Sequence, residues 1–139
     1  MTSGQIIVDE GPLVAFLYRR DHHHAWVRRQ AQHLPTPWIT CGPVLTEAAH
    51  LLGQLPGGVE ALFKLLERGL LVVDFDLMRE REAITQLMRK YASQPMSLGD
   101  ACLVRMSELF PEARVLTFDH DFTVYKRLGR RVIPIVAPF

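Results

Sequence analysis

Two short apolar runs that each end in an aspartate constrain this chain more than any other feature. Ile6-Ile7-Val8 closes on Asp9 and leads into Gly11-Pro12, while Arg114-Val115-Leu116-Thr117 leads into Phe118-Asp119-His120-Asp121. Each run reads as a β-strand, and the first hands over to a helix that begins near Pro12, whose fixed φ suits a first turn. Charges at the carboxyl ends of two separate strands lie where open α/β sheets bind their ligands.

The rest of the chain repeats the alternation. Strands are expected near 5–8, 38–40, 70–73, 114–117 and 132–135, and helices near 12–19, 22–33, 43–53, 57–68, 77–91 and 97–109. Strands separated by helices predict an α/β fold, a three-layer α/β/α sandwich with a central, mainly parallel five-stranded sheet. A length of 139 residues with 48% hydrophobic content suits one domain with one core, residues 1–139. Pro35-Thr36-Pro37, Leu55-Pro56-Gly57-Gly58 and Ser93-Gln94-Pro95 read as loops.

Two further acids stand on helices. Glu47 lies among Val44, Leu45, Ala48, Leu51 and Leu52, whose spacing is helical, and it shares the margin of the inward stripe. Asp100 falls in the first turn of a helix that is apolar on most sides, so it must be paired, protonated or bound to a metal.

Each acid also has a purely structural reading. Asp9 and Asp119 suit helix N-caps, Ser97-Leu98-Gly99-Asp100 is close to a capping box, and Glu47 could be a helix-surface acid. Those readings must all hold independently, whereas one metal site accounts for the four together.

In their order along the chain, Val8-Asp9, Thr46-Glu47, Ser97-Leu98-Gly99-Asp100-Ala101 and Leu116-Thr117-Phe118-Asp119-His120-Asp121-Phe122 resemble the PIN domain, and most closely the VapC-like toxins of toxin–antitoxin pairs. The resemblance covers nearly the whole chain, including the Asp21-His22-His23-His24 turn. It departs at Gly99, where the family often has Ala, and at Glu10, where Ser or Thr is commoner and where an added charge leaves open which oxygens face a metal.

The resemblance implies a metal-dependent endoribonuclease whose acidic quartet is Asp9, Glu47, Asp100 and Asp119, with Asp121 as a supplementary acid and Thr117 as a hydroxyl near the metal. Asp9, Asp100 and Asp119, with Asp121, would hold the ion, and Glu47 would ligate through water or position the nucleophile. It further implies an RNA substrate, a small antitoxin partner and a homodimer. An all-oxygen donor set suits Mg²⁺ or Mn²⁺. Carboxylates within about 4 Å repel by about 4 kcal/mol at an effective dielectric near 20, a penalty that a divalent cation removes.

Charge agrees with a polyanionic substrate. Sixteen basic residues face fifteen acidic ones, and setting four metal-neutralised acids aside leaves sixteen against eleven, or about +5. Thirteen of the basic residues are Arg, which grips phosphate in a fork. Arg19, Arg20, Arg28 and Arg29 are the expected RNA-binding residues, together with Lys126-Arg127 and Arg130-Arg131, although any one pair could be a solvated helix face.

The remaining signals are structural. Cys41 and Cys102 read as reduced core thiols, and Trp26 and Trp38 as packing residues. Met78, Met88, Met96 and Met106 read as core residues, and His22-His23-His24 as solvating the start of the second helix, since consecutive helical residues diverge too far to share one ion. Met1-Thr2-Ser3-Gly4 has no leader pattern and no run approaches a membrane span, so a cytoplasmic location is expected.

Two other classes bear on the same residues. A phosphoacceptor receiver domain would place a Lys near the end of a late strand, and Val132 to Pro138 contains none. A stand-alone PIN nuclease without an antitoxin, or a non-catalytic scaffold that binds RNA or protein, is the remaining alternative.

Overall fold

In the computed structural model, residues 4–139 are described; Met1 to Ser3, on which the expectation about a leader pattern partly falls, lie outside them. Five strands form one parallel sheet, β1 (Ile6–Val8), β2 (Trp38–Thr40), β3 (Leu71–Val73), β4 (Arg114–Leu116) and β7 (Ile135–Val136), in the order β3-β2-β1-β4-β7. β1 lies in the middle and is buried throughout, which is why its sequence is unbroken Ile-Ile-Val rather than alternating.

Six helices connect the strands: α1 (Glu10–Leu17), α2 (His24–Ala31), α3 (Gly42–Leu52), α4 (Gly58–Glu67), α5 (Arg81–Lys90) and α6 (Leu98–Leu109). The chain winds outward from β1 through β2 to β3, then crosses back to β4 on the other side of β1. Right-handed crossovers therefore put α1 to α4 on one face and α5 and α6 on the other. In agreement, α1 packs against α2, α3 and α4, and α5 packs against α6. The reversal between β1 and β4 is a topological switch point, where side chains at strand carboxyl ends are left facing an open crevice.

Several boundaries differ from expectation. The first helix starts at Glu10 rather than near Pro12, because Asp9 caps it by accepting the Glu10 N–H. The second helix is confined to His24–Ala31, and the fifth starts at Arg81 after a turn over 77–80.

The expected strand at 132–135 is two strands: β6 (Arg131–Val132) pairs antiparallel with β5 (Lys126–Arg127) in a separate hairpin, and β7 joins the main sheet. Leu128 and Gly129, both at positive φ, make the hairpin turn. Ile133-Pro134 carries the change of sheet. Pro134 has no N–H to donate, but its carbonyl accepts from Val115 N at 2.8 Å.

The core follows the sequence pattern with two exceptions. Met106 is fully buried and Met96 packs against the core, but Met78 is 70% exposed in the turn before α5, and Met88 lies at the surface of α5, whose buried face is Ile84 and Leu87. Trp38 packs edge-on against Phe16 and Trp26 against Phe118. Both cysteines are buried free thiols, and Cys41 is held up by its hydrogen bond with Cys102 and by burial. No helix is long and apolar enough to cross a membrane among the described residues.

Candidate active site

β1 and β4 deliver their aspartates side by side. Asp9 follows the last residue of β1 and is only 5% exposed, and Thr117 and Asp119 follow β4. The Thr117 hydroxyl donates to Asp9 Oδ2 at 2.8 Å and accepts the Asp119 N–H at 3.0 Å, joining the two strand ends. Asp9 Oδ1 accepts the Glu10 N–H, and Asp119 Oδ1 accepts the Asp121 N–H at the start of a 3-10 turn, His120–Thr123. The capping readings are therefore correct as far as they go, yet each cap leaves lone pairs free on its carboxylate.

Asp100 does the same on α6. It completes a capping box with Ser97, accepting the Ser97 N–H at 3.1 Å while Ser97 Oγ accepts the Asp100 N–H at 3.0 Å. The box fixes the carboxyl group at the buried start of a helix that runs against β1 and β4. Tyr125, fully buried, directs its hydroxyl to Asp100 Oδ2 at 3.4 Å. Burial and the charges of Asp100, Asp121 and Asp119 push the phenol up, so it remains a donor.

Asp9, Glu47, Asp100 and Asp119 line one cavity of about 410 Å³, together with Glu10, Pro43, Val44, Ser97, Leu98 and Gly99. Helix α3 contributes Glu47 from its exposed margin, with Pro43 and Val44 below it. Asp121 does not line the cavity but lies close enough to Asp119 to raise it. Thr117 sits behind the wall, tying Asp9 to Asp119.

Electrostatics sets this cavity apart from a set of ordinary caps. Burial raises Asp9 well above the usual carboxylate range, and Glu10 beside it adds to the rise. Burial likewise raises Asp100, with Asp119 and Glu10 contributing against the lowering hydrogen bonds of Ser97. Asp119 is raised by burial, then by Asp121 and Glu10. Among the described residues the ion pairs are those of Arg105 with Glu80 and Glu108, so no cation offsets the acids of the cavity.

An all-carboxylate set without a counter-cation fits a hard divalent ion with oxygen ligands. Among the described residues no three such side chains are already gathered in metal-holding geometry; the acids line one cavity, and Asp9, Asp100 and Asp119 each have an oxygen spent on a protein donor.

The expected RNA-binding arginines lie elsewhere. Arg19 and Arg20 are exposed beside a second cavity bounded by Leu52, Leu55 and Ala61, and Arg28 places its guanidinium 4.1 Å from the centre of the Phe16 ring. Arg29 is exposed on α2. Arg127 is not a free cation: its Nη1 donates to the Ser107 and Pro111 carbonyls at the end of α6. Of the histidines, His22 is exposed as expected, whereas His24 Nδ1 lies 2.6 Å from the Ala15 carbonyl and His23 packs on Phe118, in place of the solvation expected.

Sequence reading misses Tyr125. Its only signal is its place three residues after Phe122, a spacing equally suited to simple packing.

The PIN domain family profile matches residues 6–128. No curated protein is similar enough in sequence to match. In fold the chain is similar to the crystal structure of VapC20 of Mycobacterium tuberculosis, a sarcin-ricin loop cleaving toxin, with a TM-score of 0.74 and 23% identity over 91% of this chain and 99% of that one. A profile match from β1 to beyond β5, on a chain whose β1 and β4 both bring an aspartate to one acidic cavity, makes this protein a member of the PIN domain family.

Proposed function

We propose that this protein is a metal-dependent endoribonuclease that hydrolyses RNA phosphodiester bonds at Asp9, Glu47, Asp100 and Asp119. The observation that carries this reading is the meeting of those four acids, from four separate segments, on the wall of one cavity with no cationic partner among the described residues. Membership of the PIN family supports it.

Asp9, Asp100 and Asp119 would hold Mg²⁺ or Mn²⁺, with Asp121 as a supplementary acid beside Asp119. When bound, such an ion lowers the pKa of an attacking water and offsets charge on the leaving oxygen. Thr117 keeps Asp9 and Asp119 at a fixed separation, so the site is organised before substrate arrives. Glu47, exposed at the margin of the same cavity, orients the nucleophilic water and receives its proton. Arg19, Arg20, Arg28 and Arg29 contact the RNA backbone away from the cut.

The likeness in fold to VapC20, named as a toxin that cleaves the sarcin-ricin loop, supports a toxin role with a small antitoxin partner; we further propose that the protein acts in the cytoplasm as a homodimer. Expression and purification of the full chain test this: growth arrest and a co-purifying small protein are expected, and harmless expression with no co-purifying protein would leave only the nuclease.

The deciding experiment is cleavage of a pooled, structured RNA with Mg²⁺ or Mn²⁺, with EDTA, and with Asp100→Asn prepared identically. Metal-dependent cutting lost in the variant is the expected result. Undiminished cutting by Asp100→Asn in a preparation free of contaminating nuclease would refute the assignment.

A further inference from the structure

Glu10 is the acid that the four-residue reading leaves out, and the fold brings it into the same cavity. Its side chain lines the wall with Asp9, Asp100 and Asp119. One oxygen, Oε2, accepts the Gly11 N–H at 3.0 Å, which folds the carboxylate back over the first turn of α1 instead of letting it extend into solvent. Among the described residues no N–H or hydroxyl reaches the other oxygen, Oε1.

Asp9 presents the opposite picture: Oδ1 is taken by the Glu10 N–H and Oδ2 by the Thr117 hydroxyl, each at 2.8 Å, and the residue is 5% exposed. At this corner the more accessible oxygen belongs to Glu10.

Glu10 is also close enough to act on every buried acid of the site. It adjoins Asp9 in the chain and shares the cavity wall with Asp100 and Asp119. The positive end of α1 offsets part of one negative charge, which leaves the cluster strongly anionic.

We propose that Glu10 is a fifth carboxylate of the centre, adding Oε1 as a direct ligand to the divalent cation beside the hydrogen-bonded oxygens of Asp9. This rests on the metal site of the proposed function but not on RNA being its substrate.

Calorimetric titration of the metal-free full chain with Mn²⁺ tests it, using wild type, Glu10→Gln and Glu10→Asp, with circular dichroism to establish that each is folded. Glu10→Gln is expected to weaken binding at least tenfold. Glu10→Asp keeps the charge but withdraws the oxygen, and is expected to weaken it several-fold; should the Gln variant fail to fold, this one decides.

Wild-type affinity in Glu10→Gln would overturn the proposal. So would wild-type affinity in Glu10→Asp, because it would leave Glu10 only a distant field effect. No Mn²⁺ uptake by wild type would remove both Glu10 and the metal site. Mn²⁺ binding that depends on Glu10, without RNA cleavage by wild type, would sink the nuclease and leave the fifth ligand standing.

Discussion

Thr117 donates its hydroxyl proton to Asp9 across 108 positions of sequence, at 2.8 Å and with both side chains buried. The same oxygen accepts the Asp119 N–H, so one hydroxyl sets the spacing of two acids on neighbouring strands. Thr117→Val keeps the shape but leaves Asp9 Oδ2 and the Asp119 N–H short of a partner. A loss of about 1–3 kcal/mol in denaturant-measured stability is expected, with a fall in RNA cleavage. Thr117→Ser, which retains the hydroxyl, should recover most of both.

The acids also fix how stability depends on pH. Asp9, Asp100 and Asp119 are all raised by burial, so the metal-free folded chain binds protons more tightly than the unfolded one. Stability that comes from this difference is present at low pH and is lost as pH rises from the ordinary aspartate value of 3.8 through the raised folded values. Differential scanning calorimetry should show a shallower loss over that window in Asp9→Asn than in wild type. Identical slopes would mean that Asp9 titrates normally.

A divalent ion should reverse this destabilisation at neutral pH. Binding to the folded state alone adds about 2.7 kcal/mol at a hundred times Kd. The melting temperature is therefore expected to rise with Mg²⁺ or Mn²⁺ and return with EDTA, and the rise should be strongly reduced in Asp100→Asn. A rise of equal size in that variant would place the ion elsewhere.

Two glycines should respond in opposite directions to alanine. A Cβ on Gly99 would meet Val44 Cγ2 at 3.5 Å, an ordinary van der Waals distance, so Gly99→Ala should stabilise α6 by up to about 1 kcal/mol. A Cβ on Gly58 would lie 2.1 Å from the Leu52 carbonyl oxygen, so Gly58→Ala must displace backbone and should destabilise the α3–α4 junction. Urea denaturation of the two variants compares them directly.

Charge reversal of Arg19 and Arg20 should weaken RNA binding and flatten its dependence on salt, by a slope of roughly 0.7 for each phosphate of a single-stranded RNA that the protein no longer neutralises. Both side chains are exposed and away from the acidic cavity, so Mn²⁺ affinity should be unchanged. An unaltered salt slope would remove this pair from the RNA interface.

Where sequence reading succeeds, the signal is local. Ile6-Ile7-Val8 reads as a strand, Asp9 and Asp119 fall at strand ends, and Ser97 with Asp100 carries its own cap pattern. It fails where neighbouring apolar residues serve different partners. Val132 and Ile135 read as one strand, but Val132 pairs with Lys126 in the hairpin and Ile135 with Val115 in the sheet. Arg127 looks like a free phosphate ligand because nothing nearby in sequence reveals the Ser107 and Pro111 carbonyls that hold it.

The sequence by itself determined the alternating α/β architecture and the placing of Asp9 and Asp119 at strand ends, because strand burial, helix caps and turn residues act over a few positions. Only the tertiary structure decided which of those acids share a cavity, that Glu10 joins them while Asp121 stands behind, and that Thr117 and Tyr125 reach Asp9 and Asp100. Those relationships depend on the chain crossing back from β3 to β4, which sets β4 beside β1. Strand order is fixed by the packing of whole helices on the sheet, and no local run of residues encodes it.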